Sequence, residues 1–267
     1  MDCLVATDLA LEKVRAFLAA KPNLGIIVSD ALRQAFDEVI DGARTGRYCV
    51  EQLEKTEKTY IGTKVEIVLR AELELERGTT LDNLICDSEV DTKFSLTGGW
   101  MIPREAVGEI CLLVTGNDNS GTFSMGLLRV NPSVLTTGSN QDGKKSVSAS
   151  GKEQIAWLML DAPTPRNFLL DIDGDLRTAI LSPRSGSGRL RSLFTRVTRQ
   201  IIPRSAILQV AQLQGDPLKR ARELKARMLN EGYQVLCAAY ELDRVEFRRH
   251  GFDTFKDDDW LSIQISD

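Results

Sequence analysis

The sequence predicts an α/β (α+β) fold: leading helices, a mixed sheet flanked by helices, and a basic helical segment that ends in strands. Three observations predict it. Apolar residues recur at helical spacing over 8–20, 31–43 and 61–76; strand-like runs follow at 81–95, 108–115 and 122–130; cationic helices gather after residue 189. At 267 residues and 42% hydrophobic, the chain is long enough for two domains with cores of their own, and its 27% charged content is that of a globular chain, not a disordered one.

In chain order, Leu9, Leu11, Val14, Phe17 and Leu18 form the apolar face of a first helix. Ser29 is placed to cap a second, ALRQAFDEVIDGA, that Gly42 ends. Val65, Val68, Leu69 and Leu73 give a stripe for a third over 61–76, stopped by Arg77-Gly78. Residues 81–85 and 89–95 read as a hairpin turning at Cys86-Asp87-Ser88, 108–115 as a buried central strand, and 122–130 as the strand after the Asn117–Gly121 turn. A polar loop covers 137–152, the spacing predicts a helix over 152–160, and 163–166 reads as a linker. Beyond it, RLRSLFTRVTRQI, SAILQVAQ and LKRARELKARMLNEG read as helices, and YQVLCAA and WLSIQI as strands. Two short helices joined by a tight turn and followed by strands suggest a helix-turn-helix with a wing. The expected domains are 1–162 and 163–267.

Composition excludes several chemistries. The five cysteines (Cys3, Cys49, Cys86, Cys111, Cys237) form no CxxC pair, so neither a disulfide framework nor a zinc site is expected, and a reducing cytoplasm is. The one histidine, His250, near the end of the chain, nearly excludes a Ser-His-Asp triad and rules against any multi-histidine metal site. No apolar run reaches the roughly 18–20 residues of a membrane span, and the start MDCLVATDLALEKV lacks a secretory signal pattern. Net charge is −4, but residues 177–227 hold twelve Lys/Arg against Asp216 and Glu223, a local +10 that leaves −14 for the rest. That asymmetry suits a nucleic-acid-binding half beside an acidic half.

Phosphodiester hydrolysis needs an activated water and an offset for charge developing on phosphate, which Mg²⁺ on carboxylate oxygens and a nearby lysine supply. The hairpin holds these groups. Asp91 and Lys93 share a strand face, Asp82 lies on the preceding strand, and Glu66 sits mid-helix among Val65, Ile67 and Val68, where a carboxylate is costly unless paired or metal-bound. A pairing of Glu66 with Arg70 at i+4 is the competing reading. Asp87 reads as a turn residue, and Glu89 as solvated, with metal binding as a second option.

Asp-x8-Asp-x-Lys resembles the signature of PD-(D/E)xK nucleases. Longer strings, DGARTGRY, QLEKTEKTYIGTKVEI, VDTKFS, WMIP and GEICLLV, resemble the catalytic domain of NaeI-type type II restriction endonucleases; SLFTRVTRQIIPRSAILQVAQ and LKRAR resemble that family's C-terminal DNA-binding domain. The resemblance spans about residues 30 to 250. It implies that Glu66, Asp82, Asp91 and Lys93 are the catalytic set, the three carboxylates being metal ligands. It further implies a Mg²⁺-dependent homodimer that cuts double-stranded DNA at a palindrome such as GCCGGC, with a winged, catabolite-activator-like domain that binds a second, effector DNA. Three stretches depart from the family pattern: TGGWMIP is one residue shorter, the loop 116–121 differs, and the likeness fades after Gly251.

Other residues carry two readings each. Lys55, Lys58 and Lys64, with Arg44 and Arg47, suit phosphate contact or a solvated face. Lys219, Arg220, Arg222, Lys225 and Arg227 lie on the expected recognition helix. Arg184, Arg189 and Arg191 flank a Gly/Ser loop and could clamp phosphate. Trp100 and Met101 suit DNA contact or core, Asn117, Asp118 and Asn119 base reading or turn chemistry, and Tyr60 packing rather than catalysis. Two rivals stand beside the endonuclease reading: a nicking or repair enzyme on the same core, and a DNA-binding regulator with an inert nuclease fold.

Overall fold

A computed structural model describes residues 8–212 and 215–265. Cys3, most of the acidic start and residues 266–267 of the tail lie outside the described residues. The chain divides into two compact units, Met1–Val39 with Leu53–Arg166, and Ile40–Gln52 with Asn167–Asp267.

In the first unit, α1 (Leu9–Ala19) starts where the Asp8 carboxylate accepts from the Leu11 N–H at 3.0 Å. Helix α2 (Leu24–Ile40) begins ahead of the expected cap: Asn23 takes a left-handed φ of 57°, and its carbonyl accepts the Ile26 and Ile27 amides. Ser29 is therefore inside the helix, buried, with Oγ 3.3 Å from Thr164 Oγ1. Gly42 does not end α2 but opens the one-turn α3 (Gly42–Thr45) after a left-handed Asp41. Helix α4 (Lys55–Glu72) also starts early, because the Glu57 carboxylate reaches back to the Glu54 N–H at 2.8 Å. It ends before Arg77: Glu74 turns left-handed at φ 49°, and Glu76–Arg77 is already a short strand, β1.

The strands β2 (Asn83–Ile85), β3 (Ser88–Ser95), β5 (Ile110–Asn117), β6 (Thr122–Arg129) and β8 (Ala156–Pro163) complete a six-stranded sheet with β1, in the order β1-β2-β3-β5-β6-β8. Only β3 and β5 run parallel, so the sheet is mixed, as expected. A separate pair joins β4 (Met101–Ile102) to β7 (Lys145–Ser146), and α5 (Ala149–Lys152) follows.

Residues 156–160 are strand where a helix over 152–160 is expected, and that strand runs on to Pro163. A short unbroken run, Ala-Trp-Leu-Met-Leu, carries no period that separates the two, and pairing with β6 decides it. Gly126 makes that pairing possible, since a Cβ there would run into Ile155 and Trp157.

The second unit holds α3, α6 (Phe168–Asp171), α7 (Gly174–Leu181), α8 (Gly186–Arg196), α9 (Arg204–Ala211), α10 (Pro217–Asn230) and α11 (Glu241–Arg249). Strands β9 (Ile201–Ile202), β10 (Tyr233–Cys237) and β11 (Trp260–Gln264) make an antiparallel sheet ordered β10-β11-β9. Leu190, Phe194, Ile207, Met228 and Trp260 lie at its core, with Phe194 stacked on Trp260 at 5.9 Å. Helix α8 starts at Gly186 because Ser185 Oγ accepts from the Gly188 N–H, and stops at Arg196, short of the predicted end. Asp216 caps α10 through the Lys219 N–H. Between β10 and β11, where the sequence suggests no element, α11 forms.

Candidate active site

The β2–β3 hairpin turns on two residues, Cys86 and Asp87, with left-handed φ of 50° and 62°. Such a turn matches the strand twist and fixes the register: Ile85 faces Ser88, Leu84 faces Glu89, Asn83 faces Val90. One step further, Asp82 arrives opposite Asp91. Alternation puts Glu89, Asp91 and Lys93 on one face of β3, and α4 packs against that strand and adds Glu66.

Lys93 Nζ is the centre of the cluster. It donates to Asp91 Oδ1 at 2.8 Å and to the Thr92 carbonyl at 2.9 Å, and lies 3.6 Å from Asp82 Oδ2 and 3.7 Å from Glu66 Oε1. Asp91 is 4% exposed. Burial pushes its carboxyl up to about 6, against the pull of the Lys93 ammonium and with help from Asp82. Burial likewise pushes Glu66 up to about 7; Lys93 opposes the rise while Asp82 and Asp91 add to it. Burial works against the Lys93 ammonium too, but the carboxylates, Asp91 foremost, outweigh it and raise its pKa. The Glu66 pairing with Arg70 is replaced by another bond: Arg70 Nη1 donates to the Asp82 carbonyl at 3.2 Å. Asp82 Oδ2 accepts the Thr92 N–H at 2.9 Å.

The donor set is all carboxylate, which suits a hard divalent cation. Asp91 Oδ2 is buried with no hydrogen-bond partner, an acceptor left over for such an ion. Among the described residues no three His, Cys, Asp or Glu side chains are drawn together at ligating distance. The reason is visible in the distances: the three carboxylates share the Lys93 ammonium. Asp82, Asp91 and Glu66 fit an ion; a softer metal finds no thiolate or imidazole among them.

Glu89 is not in this set. Its carboxylate, at the half-exposed surface as expected, accepts the Thr79, Thr80 and Leu81 amides and the Thr79 hydroxyl, which occupy it in place of a metal ion.

The expected DNA contacts divide. Lys55 is exposed and Lys58 half-exposed on the first turn of α4, but Lys64 is paired with Glu38, and Arg47 donates to the Ile40 carbonyl. Arg189 is corrected outright. It is 6% exposed, and all three guanidinium nitrogens are engaged, by the Val210, Pro183, Arg184 and Ala211 carbonyls and Gln212 Oε1. Its charge reads as surface in the sequence, yet it ties off the C-terminal end of α9. Arg191 pairs with Glu231 at 2.7 Å and Lys225 with Asp243. Lys219 and Arg222 are exposed and Arg220 half-exposed on α10. Trp100 is core, its Nε1–H donating to the Val114 carbonyl. Asn117 Oδ1 accepts the Asn119 and Ser120 amides, which is turn chemistry, and Asp118 is buried on Arg33. The sequence reading missed Arg70 and Thr92 as holders of Asp82: a backbone donor leaves no sequence signal, and an arginine at i+4 from a glutamate reads as its ion-pair partner.

No helix among the described residues is long and apolar enough to cross a membrane. Compared with known proteins, residues 12–266 match the family described as Restriction endonuclease NaeI, so the match continues past Gly251. The chain is 40% identical over 220 residues to the Type II restriction enzyme NaeI of Lentzea aerocolonigenes, covering 79% of this chain and 69% of that one. With a carboxylate–lysine cluster at its sheet and this match over most of its length, the chain belongs to the NaeI family of type II restriction endonucleases, site-specific deoxyribonucleases.

Proposed function

We propose that the chain hydrolyses double-stranded DNA at a palindromic site in a Mg²⁺-dependent reaction centred on Lys93, Asp91, Asp82 and Glu66. The observation that carries the reading is the gathering of three carboxylates within 2.8–3.7 Å of one ammonium, with a buried Asp91 oxygen to spare. Asp82 and Asp91 would hold the ion, with Glu66 as a further ligand, directly or through water. When bound, it supplies charge against the phosphate and acidifies water.

The chain's own groups do the rest. Lys93, fixed by Asp91 and the Thr92 carbonyl, orients the attacking water and offsets charge that develops on the phosphoryl oxygens. The water oxygen bonds to phosphorus as the bond to O3′ breaks. The water's proton leaves to a base, and the departing oxygen takes one up, giving a 5′-phosphate and a 3′-hydroxyl.

The second unit is proposed as a winged helix-turn-helix in which α9 and α10 lead into β10 and β11, with Lys219, Arg220 and Arg222 of α10 toward a second, stimulating DNA. A homodimer would match the two-fold symmetry of a palindrome. A cytoplasmic location follows from the DNA substrate and the absence of a cysteine pairing pattern.

The test is cleavage of a plasmid library with Mg²⁺ and with EDTA, followed by sequencing of the ends. Discrete fragments sharing one palindrome, in Mg²⁺ alone, are expected. Persistent single nicks, or cutting that survives EDTA, would overturn the reading.

A further inference from the structure

Asp82 stands at the exit of a tight loop, 78–82, and that loop is wrapped around one carboxylate. Glu89 Oε1 accepts the Thr79 N–H at 2.8 Å and the Thr79 hydroxyl at 2.5 Å; Oε2 accepts the Leu81 N–H at 2.9 Å and the Thr80 N–H at 3.4 Å. Three successive amides thus converge on a single anion. The fit leaves no room at residue 78: a Cβ on Gly78 would run into the Glu89 carboxylate and the Leu81 carbonyl. Behind the loop, the Asp82 carbonyl accepts from Arg70 Nη1 at 3.2 Å and from the Gly78 N–H at 3.3 Å. Ahead of it, the Asp82 carboxylate accepts the Thr92 N–H.

Asp82 is just outside β2, so no ladder bond of that strand places it. Its position is set from three sides: by Arg70 on the helix that carries Glu66, by Thr92 between Asp91 and Lys93, and by the loop clamped on Glu89. Each of those holders belongs to an element that also supplies another member of the cluster.

Building on the catalytic reading above, we propose that Glu89 and Arg70 are positioning residues that set the Asp82 carboxylate relative to Asp91 and so fix the affinity of the site for a divalent cation. Glu89 touches none of the groups around Lys93 and acts only through Asp82. Because the loop is at the surface, its amides can turn to water when Glu89 is removed. Stability then changes little, and the effect is read at Asp82.

The experiment uses the full chain. Calorimetric titration with Mg²⁺ alone, without DNA, is compared for wild type, Glu89→Gln, Glu89→Ala and Arg70→Ala, beside kcat, KM and melting temperature. Loss of an outer partner of a metal ligand weakens ion binding or activity by about 10–100-fold. Glu89→Ala and Arg70→Ala are expected to weaken Mg²⁺ binding within that range and to lower kcat with KM for DNA unchanged. Glu89→Gln, which keeps one acceptor oxygen, is expected in between. Combined with Asp82→Asn, Glu89→Ala should cost nothing further, because both changes act through one carboxylate. An additive double variant, a loss that tracks a falling melting temperature, or unchanged Mg²⁺ binding in Glu89→Ala overturns the proposal. A wild-type chain that binds no Mg²⁺ and cuts no DNA overturns the catalytic reading instead.

Discussion

Asp91 and Arg189 are buried alike, 4% and 6% exposed, one in each unit. Arg189 gives every guanidinium nitrogen to neutral oxygens of its own chain. Asp91 has one oxygen on Lys93 and the other on nothing, with two more carboxylates close by. Buried charge that is fully hydrogen-bonded fastens a fold; buried charge left in conflict marks a place kept ready for something else. The contrast separates a scaffold cation from the proposed reactive cluster where residue type alone does not.

Variants test that contrast directly. Lys93→Ala and Asp91→Asn should each lower the cleavage rate by at least about 10²–10³-fold, the scale of losing one transition-state donor, while DNA still binds in a gel-shift assay. Cutting by either variant at the wild-type rate would remove the cluster from the mechanism.

Arg189→Met should act on the fold instead. It strips donors from the Val210 and Ala211 carbonyls beneath α9, and each unsatisfied buried group costs about 1–3 kcal/mol. A clear drop in the denaturant midpoint is expected, with the cleavage rate per folded molecule retained; an unchanged midpoint would contradict the scaffold role.

The conflict in the first unit should also be visible in pH. Burial raises Glu66 from 4.5 to about 7 and Asp91 from 3.8 to about 6. At these two sites the folded chain keeps protons that the unfolded chain has released, so their contribution to stability is fully present below their ordinary values and is lost as pH rises from there toward 7, while carboxylates held low by hydrogen bonds, such as Asp8 and Glu231, act the opposite way only in the acid range below. The slope is at most about 1.4 kcal/mol per pH unit for each proton. Metal-free melting temperature should decline between about pH 5 and pH 7, and Glu66→Gln should flatten the decline. Added Mg²⁺ should raise the melting point above neutrality by mass action. A melting temperature indifferent to pH in wild type would sink the argument.

The smallest effects belong to the surface. Arg191→Ala breaks an ion pair whose arginine is 48% exposed and should shift stability by no more than about 1 kcal/mol. Lys219→Ala and Arg222→Ala should leave stability alone and each reduce the salt slope of DNA binding by about 1. A salt slope identical to wild type would take α10 off the DNA.

How much of this was legible in the sequence follows the same physics. The hairpin was readable because alternation along 89–95 and a polar turn admit one register, and that register delivers Asp82 to Asp91. Glu66 was readable because a carboxylate flanked by Val65, Ile67 and Val68 is costly. Residues 156–163 were not, since their conformation rests on β6, far away in sequence. Helix α11 was missed because its Leu242 and Val245 are exposed and only Phe247 is buried, so no apolar face announces it. Arg189 was misread because charge counts assume solvent. The bonds of Glu89 were not legible because its partners are mostly backbone amides, which every sequence has.

Residues 40–52 join the second unit although helices of the first lie on either side of them in the sequence. A glycine is needed at 42 because Gln209 and the Arg47 carbonyl leave no space for a side chain. The strand of polypeptide thus passes from one body to the other three times. Neither half is a cassette: severing the chain at residue 167 would strip the downstream piece of a part made a hundred residues earlier, and any transplant of that piece onto a different enzyme must carry both stretches together.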